Sequence, residues 1–141
     1  MKPVTSKLEA NWRQKSLERL EKSEWPAPDV NSGIVERAHR LRKIPVGDLT
    51  ADELRFLLVQ QMGFPYTLES ALGLLREDLF IEAGYYNGDL LHAILKVKQE
   101  TWDVFPSFFN ELVSLIRPQI GALRAFRPRL PLDHMIGPDK E

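Results

Sequence analysis

The sequence contains no cysteine among its 141 residues. Disulfide bonds, thiolate metal sites and a cysteine nucleophile are therefore excluded. It also lacks the roughly 20 consecutive apolar residues of a membrane-spanning helix and the roughly 7–15 of a signal peptide. We therefore expect a soluble, cytoplasmic protein with no membrane partner.

Sequence motifs of common enzymes and metal sites are missing as well. The three histidines, His39, His92 and His134, have no His or Cys partner at metal-ligand spacing, and no glycine-rich phosphate loop is present. No serine lies in a Gly-x-Ser-x-Gly motif. The sequence thus predicts no metal, no cofactor and no catalytic residue, so the protein is not expected to be an enzyme. His39 is expected at the surface, whereas His92, beside an apolar helix face, is expected to be partly buried.

The composition also lacks an excess of charge of one sign. Hydrophobic residues make up 43% and charged residues 28%, with 19 basic and 20 acidic side chains. This balance and length fit one globular domain. Because nucleic-acid-binding proteins usually show a basic excess, the total predicts no nucleic-acid partner.

The charges are unevenly distributed along the chain. Residues 61–115 carry 3 basic and 8 acidic side chains, whereas the segments before and after them each have a net charge of +2. An acidic surface attracts cationic partners and repels nucleic acid. Two interpretations stay open: a docking surface for a basic partner, or solvated helix faces.

Apolar residues recur at helical spacing almost throughout, and alternating patterns typical of strands are absent. The spacing predicts an all-α fold, a compact bundle of about six or seven short helices packed without simple up-down order. Residues 1–126 are predicted to form a single helical domain. Residues 127–141, which contain three prolines, are predicted to form an extended C-terminal tail.

Helix ends are marked by capping residues. Ser6 with Glu9, and Thr50 with Glu53, match capping boxes; the first is predicted to open a helix that runs to about residue 22. Gly63 is predicted to close a helix, and Pro106 to occupy a first helical position. Asn87 is predicted to be an N-cap.

A cluster of acidic and aromatic residues follows the fourth predicted helix. Glu77 and Asp78 fall near its C-terminus, where negative charge is mildly unfavourable, so either a partner or simple solvation explains them. Tyr85 and Tyr86 fall in the next loop. They are expected either to fill gaps between helices or to anchor an interface, a role that tyrosine favours.

The stretch at residues 49–63 reads LTADELRFLLVQQMG and is followed by FPYT at 64–67 and ALGLL at 71–75, and residues 84–91 read GYYNGDLL. Together these motifs resemble one helical family of immunity proteins from bacterial contact-dependent growth inhibition systems, in which GYYNGDLL is similar to a separate element. The resemblance spans about residues 15–98.

The resemblance implies a cytoplasmic protein that binds and neutralises the cognate toxin domain, typically a nuclease, which forms the C-terminal region of a large exported protein. We expect a monomer that forms a one-to-one complex. Because a nuclease needs a basic cleft for phosphates, the toxin-binding residues are predicted in the acidic segment: Glu69, Glu77, Asp78, Glu82, Tyr85, Tyr86 and Asp89.

A small helical nucleic-acid-binding regulator is the alternative function. A basic helix around residues 37–43 is followed by a turn and a further helix, an order similar to a helix-turn-helix. The second helix should then carry base-reading side chains, yet it begins with Asp52 and Glu53.

Overall fold

The computed structural model describes residues 8–26 and 32–137. The α-helices in these ranges are α1 Leu17–Leu20, α2 Gly33–Leu41, α3 Ala51–Val59, α4 Tyr66–Glu77, α5 Asp89–Leu95, α6 Gln99–Val104, α7 Pro106–Ile116, α8 Ile120–Ala125 and α9 Asp133–Ile136. Short 3-10 turns occur at Trp12–Gln14, Val46–Asp48 and Arg117–Gln119. No strand forms within the described ranges, so the predicted all-α fold is confirmed. Nine α-helices form in these ranges, against the six or seven predicted; α8 follows a turn that contains Pro118, and α9 forms in the C-terminal segment.

The helix predicted from residue 6 to 22 is wrong over the described residues. Asn11 adopts a left-handed conformation (φ 57°) and Lys15 is extended, which leaves one 3-10 turn and then α1. The Ser16 hydroxyl accepts a hydrogen bond from the Arg19 backbone N–H and caps α1. Ser6, and with it the first predicted capping box, lies outside the described residues.

The other predicted helix signals mostly hold. The Thr50 hydroxyl accepts from the Glu53 backbone N–H (3.2 Å) while the Glu53 carboxylate accepts from the Thr50 N–H (2.8 Å), which is a complete capping box. Gly63 follows α3 with φ 80°, a left-handed conformation that suits glycine. Pro106 lies at the start of α7 as predicted.

The N-cap of α5 differs from the prediction. Gly88, not Asn87, holds that position, with φ 86°. A Cβ atom at residue 88 would lie 2.9 Å from the Phe126 ring, so the close approach of that ring requires glycine there. The contact brings the start of α5 against the end of α8, 38 residues along the chain.

Two buried clusters share helix α3. Leu54, Phe56 and Leu57 pack with Leu17 and Leu41 in the smaller, N-terminal cluster. Leu58 packs instead in the larger cluster, which is built mainly from α4, α5, α7 and α8. Because α3 supplies residues to both clusters, it fixes the position of α2 and α1 relative to the rest of the bundle.

The C-terminal segment packs against the larger cluster. The backbone from residue 126 to 132 is not helical, but α9 forms at Asp133–Ile136, so the predicted extended conformation is wrong for those four residues. Leu130, Leu132 and Met135 are each less than a tenth exposed and belong to the core. The described part of this segment is therefore fastened to the bundle by apolar packing.

Candidate functional site

A tight loop joins α4 to α5 and is organised by one buried carboxylate. The Asp89 side chain is 3% exposed and accepts hydrogen bonds from the backbone N–H groups of Ala83 (2.6 Å) and Tyr85 (3.0 Å). Glu82 and Asn87 form an isolated bridge that closes the loop. Hydrogen bonds to a charged acceptor are stronger than those between neutral groups. The loop is thus held in one conformation.

The loop presents Tyr85 to solvent. Its side chain is 64% exposed, and its ring stacks on the Arg55 guanidinium, which lies 4.3 Å from the ring centre. Arg55 is fixed in turn by Asp52, three residues earlier on α3, through an Nε–Oδ1 contact of 3.2 Å. A ring held by a cation on one face and exposed on the other is available to a partner without prior rearrangement.

The side chain of Tyr86 contacts a side chain of α5. Its hydroxyl lies 2.8 Å from His92 Nδ1. Burial, followed by the nearby charge of Lys96, lowers the pKa of His92, so the imidazole is neutral near pH 7 and Nδ1 can accept a hydrogen bond donated by the Tyr86 hydroxyl. Partial burial of His92 was predicted from the sequence and is confirmed. Tyr86 is half-buried and braces α5.

Three acidic candidates are exposed in the segment that precedes Tyr85. Glu77 ends α4 and Asp78 follows it, as predicted, and both are exposed together with Glu82. Asp78 also accepts a hydrogen bond from the Phe80 N–H (3.0 Å), which fixes the turn after the helix. We call Glu77, Asp78, Glu82 and Tyr85 the acidic–aromatic surface.

The two remaining acidic candidates have internal partners. Asp89 is buried beneath the loop, as described above. Glu69 forms a two-point ion pair with Arg76 (3.0 and 3.1 Å), and Arg76 also binds Glu111 of α7. These hydrogen bonds raise the pKa of Arg76. The Arg76 pairs therefore tie α4 to α7, and a partner can approach Glu69 only beside an existing ion pair.

Two of the cations in and directly after the basic helix α2 are engaged within the protein. Arg37 binds Asp52 of α3 (3.0 Å) and stacks on Phe56. Arg42 is 2% exposed, pairs with Glu21 and stacks on Trp25. These contacts occupy two of the cations that the helix-turn-helix interpretation requires for binding nucleic acid. His39, expected at the surface, is half-buried with Nε2 3.3 Å from the Trp25 carbonyl oxygen.

A shallow cleft of about 100 Å³ lies beside the loop, lined by residues that include Arg55, Tyr86 and His92. Over the described ranges, no group of three or more His, Asp or Glu side chains is placed to hold a metal ion. In the same part of the chain, no helix is long and apolar enough to cross a membrane.

Sequence reasoning missed the part that Arg55 plays. It lies 30 residues before Tyr85, and no local signal links a helix-surface arginine to a loop tyrosine at that distance. It also missed Asp89 as the centre of the loop. The one available signal was an acidic residue directly after Asn-Gly, which is common in tight turns that bond to their own backbone.

Comparison with known proteins places this architecture in a family. The family model described as CDI immunity proteins, those of contact-dependent growth inhibition, matches residues 19–112, which is two thirds of the chain. Neither the curated proteins nor the solved structures gave a significant match. The matched range begins within α1 and ends within α7, and it includes the whole Tyr85 loop. The chain therefore belongs to the family of CDI immunity proteins.

Proposed function

We propose that this immunity protein neutralises a nuclease toxin domain by forming a one-to-one complex in the cytoplasm. The toxin would be the C-terminal region of a large exported protein. Inhibition is stoichiometric, since the protein covers the catalytic or substrate-binding surface of the toxin and turns nothing over. Family membership supports the immunity role, and the charge of the exposed loop favours a partner with a basic cleft.

The observation that carries the proposal is the acidic–aromatic surface. It combines three exposed carboxylates at residues 77–82 with a tyrosine that is already fixed by Arg55 and by the Asp89-centred loop. A nuclease holds phosphates in a basic cleft, so these carboxylates complement it and speed association. Tyrosine is a frequent anchor at the centre of interfaces. A standard interface, about 800 Å² per partner, is expected.

Charge reversal tests the surface. We expect the triple variant Glu77→Lys, Asp78→Lys, Glu82→Lys to slow association with the purified cognate toxin domain about 10- to 100-fold at low salt. Stopped-flow measurements at two salt concentrations give the rate, and the difference should shrink at high salt. Protection of cells that express the toxin domain should fall in parallel.

A matched control reverses three exposed acids elsewhere: Glu24→Lys, Glu36→Lys and Glu100→Lys. These side chains are exposed, and no ion pair holds them within the described part of the chain. The net charge changes equally, so a specific effect leaves the control close to wild type. Equal rates for both triple variants would overturn the assignment of this surface, while family membership would stand.

The mode of inhibition has its own test. Titration of a fixed amount of toxin nuclease with the immunity protein should end nuclease activity at one equivalent, and light scattering should give the mass of a one-to-one complex. Activity that persists with saturating immunity protein would contradict occlusion.

A further inference from the structure

Four arginines cluster after α7, within a stretch that has no acidic residue. Arg117, Arg124, Arg127 and Arg129 lie between residues 117 and 129, after the last residue matched by the family model. Arg117, Arg127 and Arg129 are exposed, and Arg124 is half-buried. We call these four residues the arginine surface.

Two clefts meet at Arg124. The first, of about 240 Å³, is lined by Arg124, Arg127 and Arg129 with Leu123, Leu130, Leu132 and Asp133. The second, also about 240 Å³, is lined by Arg117, Ile120, Arg124 and Ile136. Because Arg124 borders both clefts, the two clefts adjoin, and the four arginines line them between α8 and the segment that follows it.

Arg124 and Arg127 have partners within the protein. Arg124 donates to the backbone carbonyl oxygen of Gly137 (3.2 Å). Arg127 donates to the backbone carbonyl oxygens of Arg124 (3.3 Å) and Phe126 (2.8 Å), which positions its side chain. Over the described residues, neither Arg117 nor Arg129 is paired with a carboxylate. Asp133 is the one acidic side chain among the lining residues of either cleft, so positive charge dominates both.

The chemistry of the clefts suits a phosphate group. A guanidinium presents a planar fork of donors that matches phosphate oxygens, and the leucine floor lowers the local dielectric and strengthens the attraction. A group of arginines along two adjoining clefts fits a ligand that repeats its negative charge, as a nucleic-acid backbone does. We propose that the arginine surface binds phosphate groups, either as free phosphate or as part of nucleic acid.

The test uses the full-length protein with two probes, inorganic phosphate and a fluorescein-labelled 12-nucleotide single-stranded RNA. We expect binding of at least one probe at about 0.1 M salt, followed by NMR for phosphate and by fluorescence anisotropy for RNA. The double variant Arg117→Gln, Arg129→Gln should weaken it about tenfold or more. For RNA, it should also reduce the slope of log affinity against log salt by about 1.4, since roughly 0.7 is lost per phosphate contact and two contacts are removed.

A matched control removes two exposed cations from α2 and its end, Arg40→Gln and Lys43→Gln. Neither has an ion-pair partner within the described ranges, and the change in net charge is the same. Circular dichroism melting checks that both double variants fold. Retained binding in the control with loss in Arg117→Gln, Arg129→Gln supports the proposal.

The outcomes distinguish free phosphate from nucleic acid as the ligand, and both of these from a protein partner. Phosphate binding without RNA binding identifies a free phosphate site, and binding of both identifies a nucleic-acid contact. No binding of either probe, or equal loss in both double variants, overturns the proposal. If the double variant Arg117→Gln, Arg129→Gln instead lowers affinity for the toxin domain but not for either probe, the proposal is overturned. The arginine surface is then part of the interface with the toxin.

Discussion

The acidic–aromatic surface and the arginine surface are fixed in different ways. At the first, the buried Asp89 carboxylate accepts hydrogen bonds from the loop backbone, so it shapes the surface instead of contributing charge to it. On the second, the guanidinium groups rest on an apolar floor, and Arg117 and Arg129 have no carboxylate partner over the described ranges. Hydrogen bonds thus shape the acidic–aromatic surface, whereas buried leucines support the arginine surface.

The net charge of a sequence segment therefore differs from the charge that its exposed side chains present to a partner. In the acidic segment, Glu69 and Asp89 make hydrogen bonds within the protein. In the basic segment at α2, Arg37 and Arg42 form ion pairs within the protein. The C-terminal segment, with its modest net charge of +2, keeps more of its cations exposed. The four predictions that follow challenge this contrast, starting with the largest expected effect.

The Asp89→Ala substitution should destabilise the fold by about 3 kcal/mol. It leaves the backbone N–H groups of Ala83 and Tyr85 without their charged acceptor, and a buried donor that loses its acceptor is costly. Chemical denaturation measures the free energy of unfolding. Glu82→Ala is the control, since that carboxylate is exposed in the same loop, and it should cost less than about 0.5 kcal/mol. Similar costs for the two variants would contradict the structural role of Asp89.

The Leu132→Ala substitution should cost about 2.5 kcal/mol in unfolding free energy, because it opens a cavity under the arginine surface. Leu132 is 4% exposed and lines the first cleft. Val104→Ala, at a position that is largely exposed, should cost less than 1 kcal/mol. A cost for Leu132→Ala no greater than that of the control would show that this segment does not contribute to the core in solution.

The Tyr85→Ala substitution should weaken binding to the cognate toxin domain about 30-fold, which corresponds to about 2 kcal/mol. The side chain is mostly exposed, so unfolding free energy should change by less than about 1 kcal/mol. Isothermal titration calorimetry gives the affinity. Tyr85→Phe retains the ring over Arg55 and should stay within about threefold of wild type. Wild-type affinity in Tyr85→Ala would remove Tyr85 from the interface.

The smallest effect concerns pH. The pKa of His92 is lowered in the folded protein, so below its ordinary value of about 6.5 the unfolded chain binds more protons than the folded one. The contribution of His92 to stability is therefore full above about pH 6.5 and declines as pH falls toward the lowered pKa. Comparing melting temperatures at pH 7.5 and 5.5 for wild type and His92→Gln isolates this term. An equal pH dependence in both proteins would contradict it.

Much of the fold could be predicted because its signals are local. The Thr50 capping box, the positive φ of Gly63 and the position of Pro106 each depend on residues a few places away. The failed helix at residues 6–22 had only a loose apolar stripe, and Asn11 and Ser16 set its real boundaries. Gly88 could not be predicted as an N-cap, because the reason for glycine there is the Phe126 ring.

The candidate site was predictable in its residue types but not in its geometry. The acidic and aromatic side chains of residues 77–89 are visible in the sequence. Whether a carboxylate points outward, as Glu82 does, or inward, as Asp89 does, depends on the path of the loop. The stacking of Tyr85 on Arg55 depends on how α3 packs against α5. Such contacts arise from tertiary structure and leave no local pattern.

The Gly88–Phe126 contact joins the segments that carry the two surfaces. The Phe126 ring lies 5.3 Å from that of Phe80, which is flanked by the acidic–aromatic surface, while Phe126 itself precedes Arg127. Only a glycine hydrogen lies between the backbone of residue 88 and that ring. A displacement of the Phe126 ring would therefore displace the start of α5, and the reverse. By linkage, any factor by which toxin binding alters phosphate affinity must equal the factor by which phosphate alters toxin affinity.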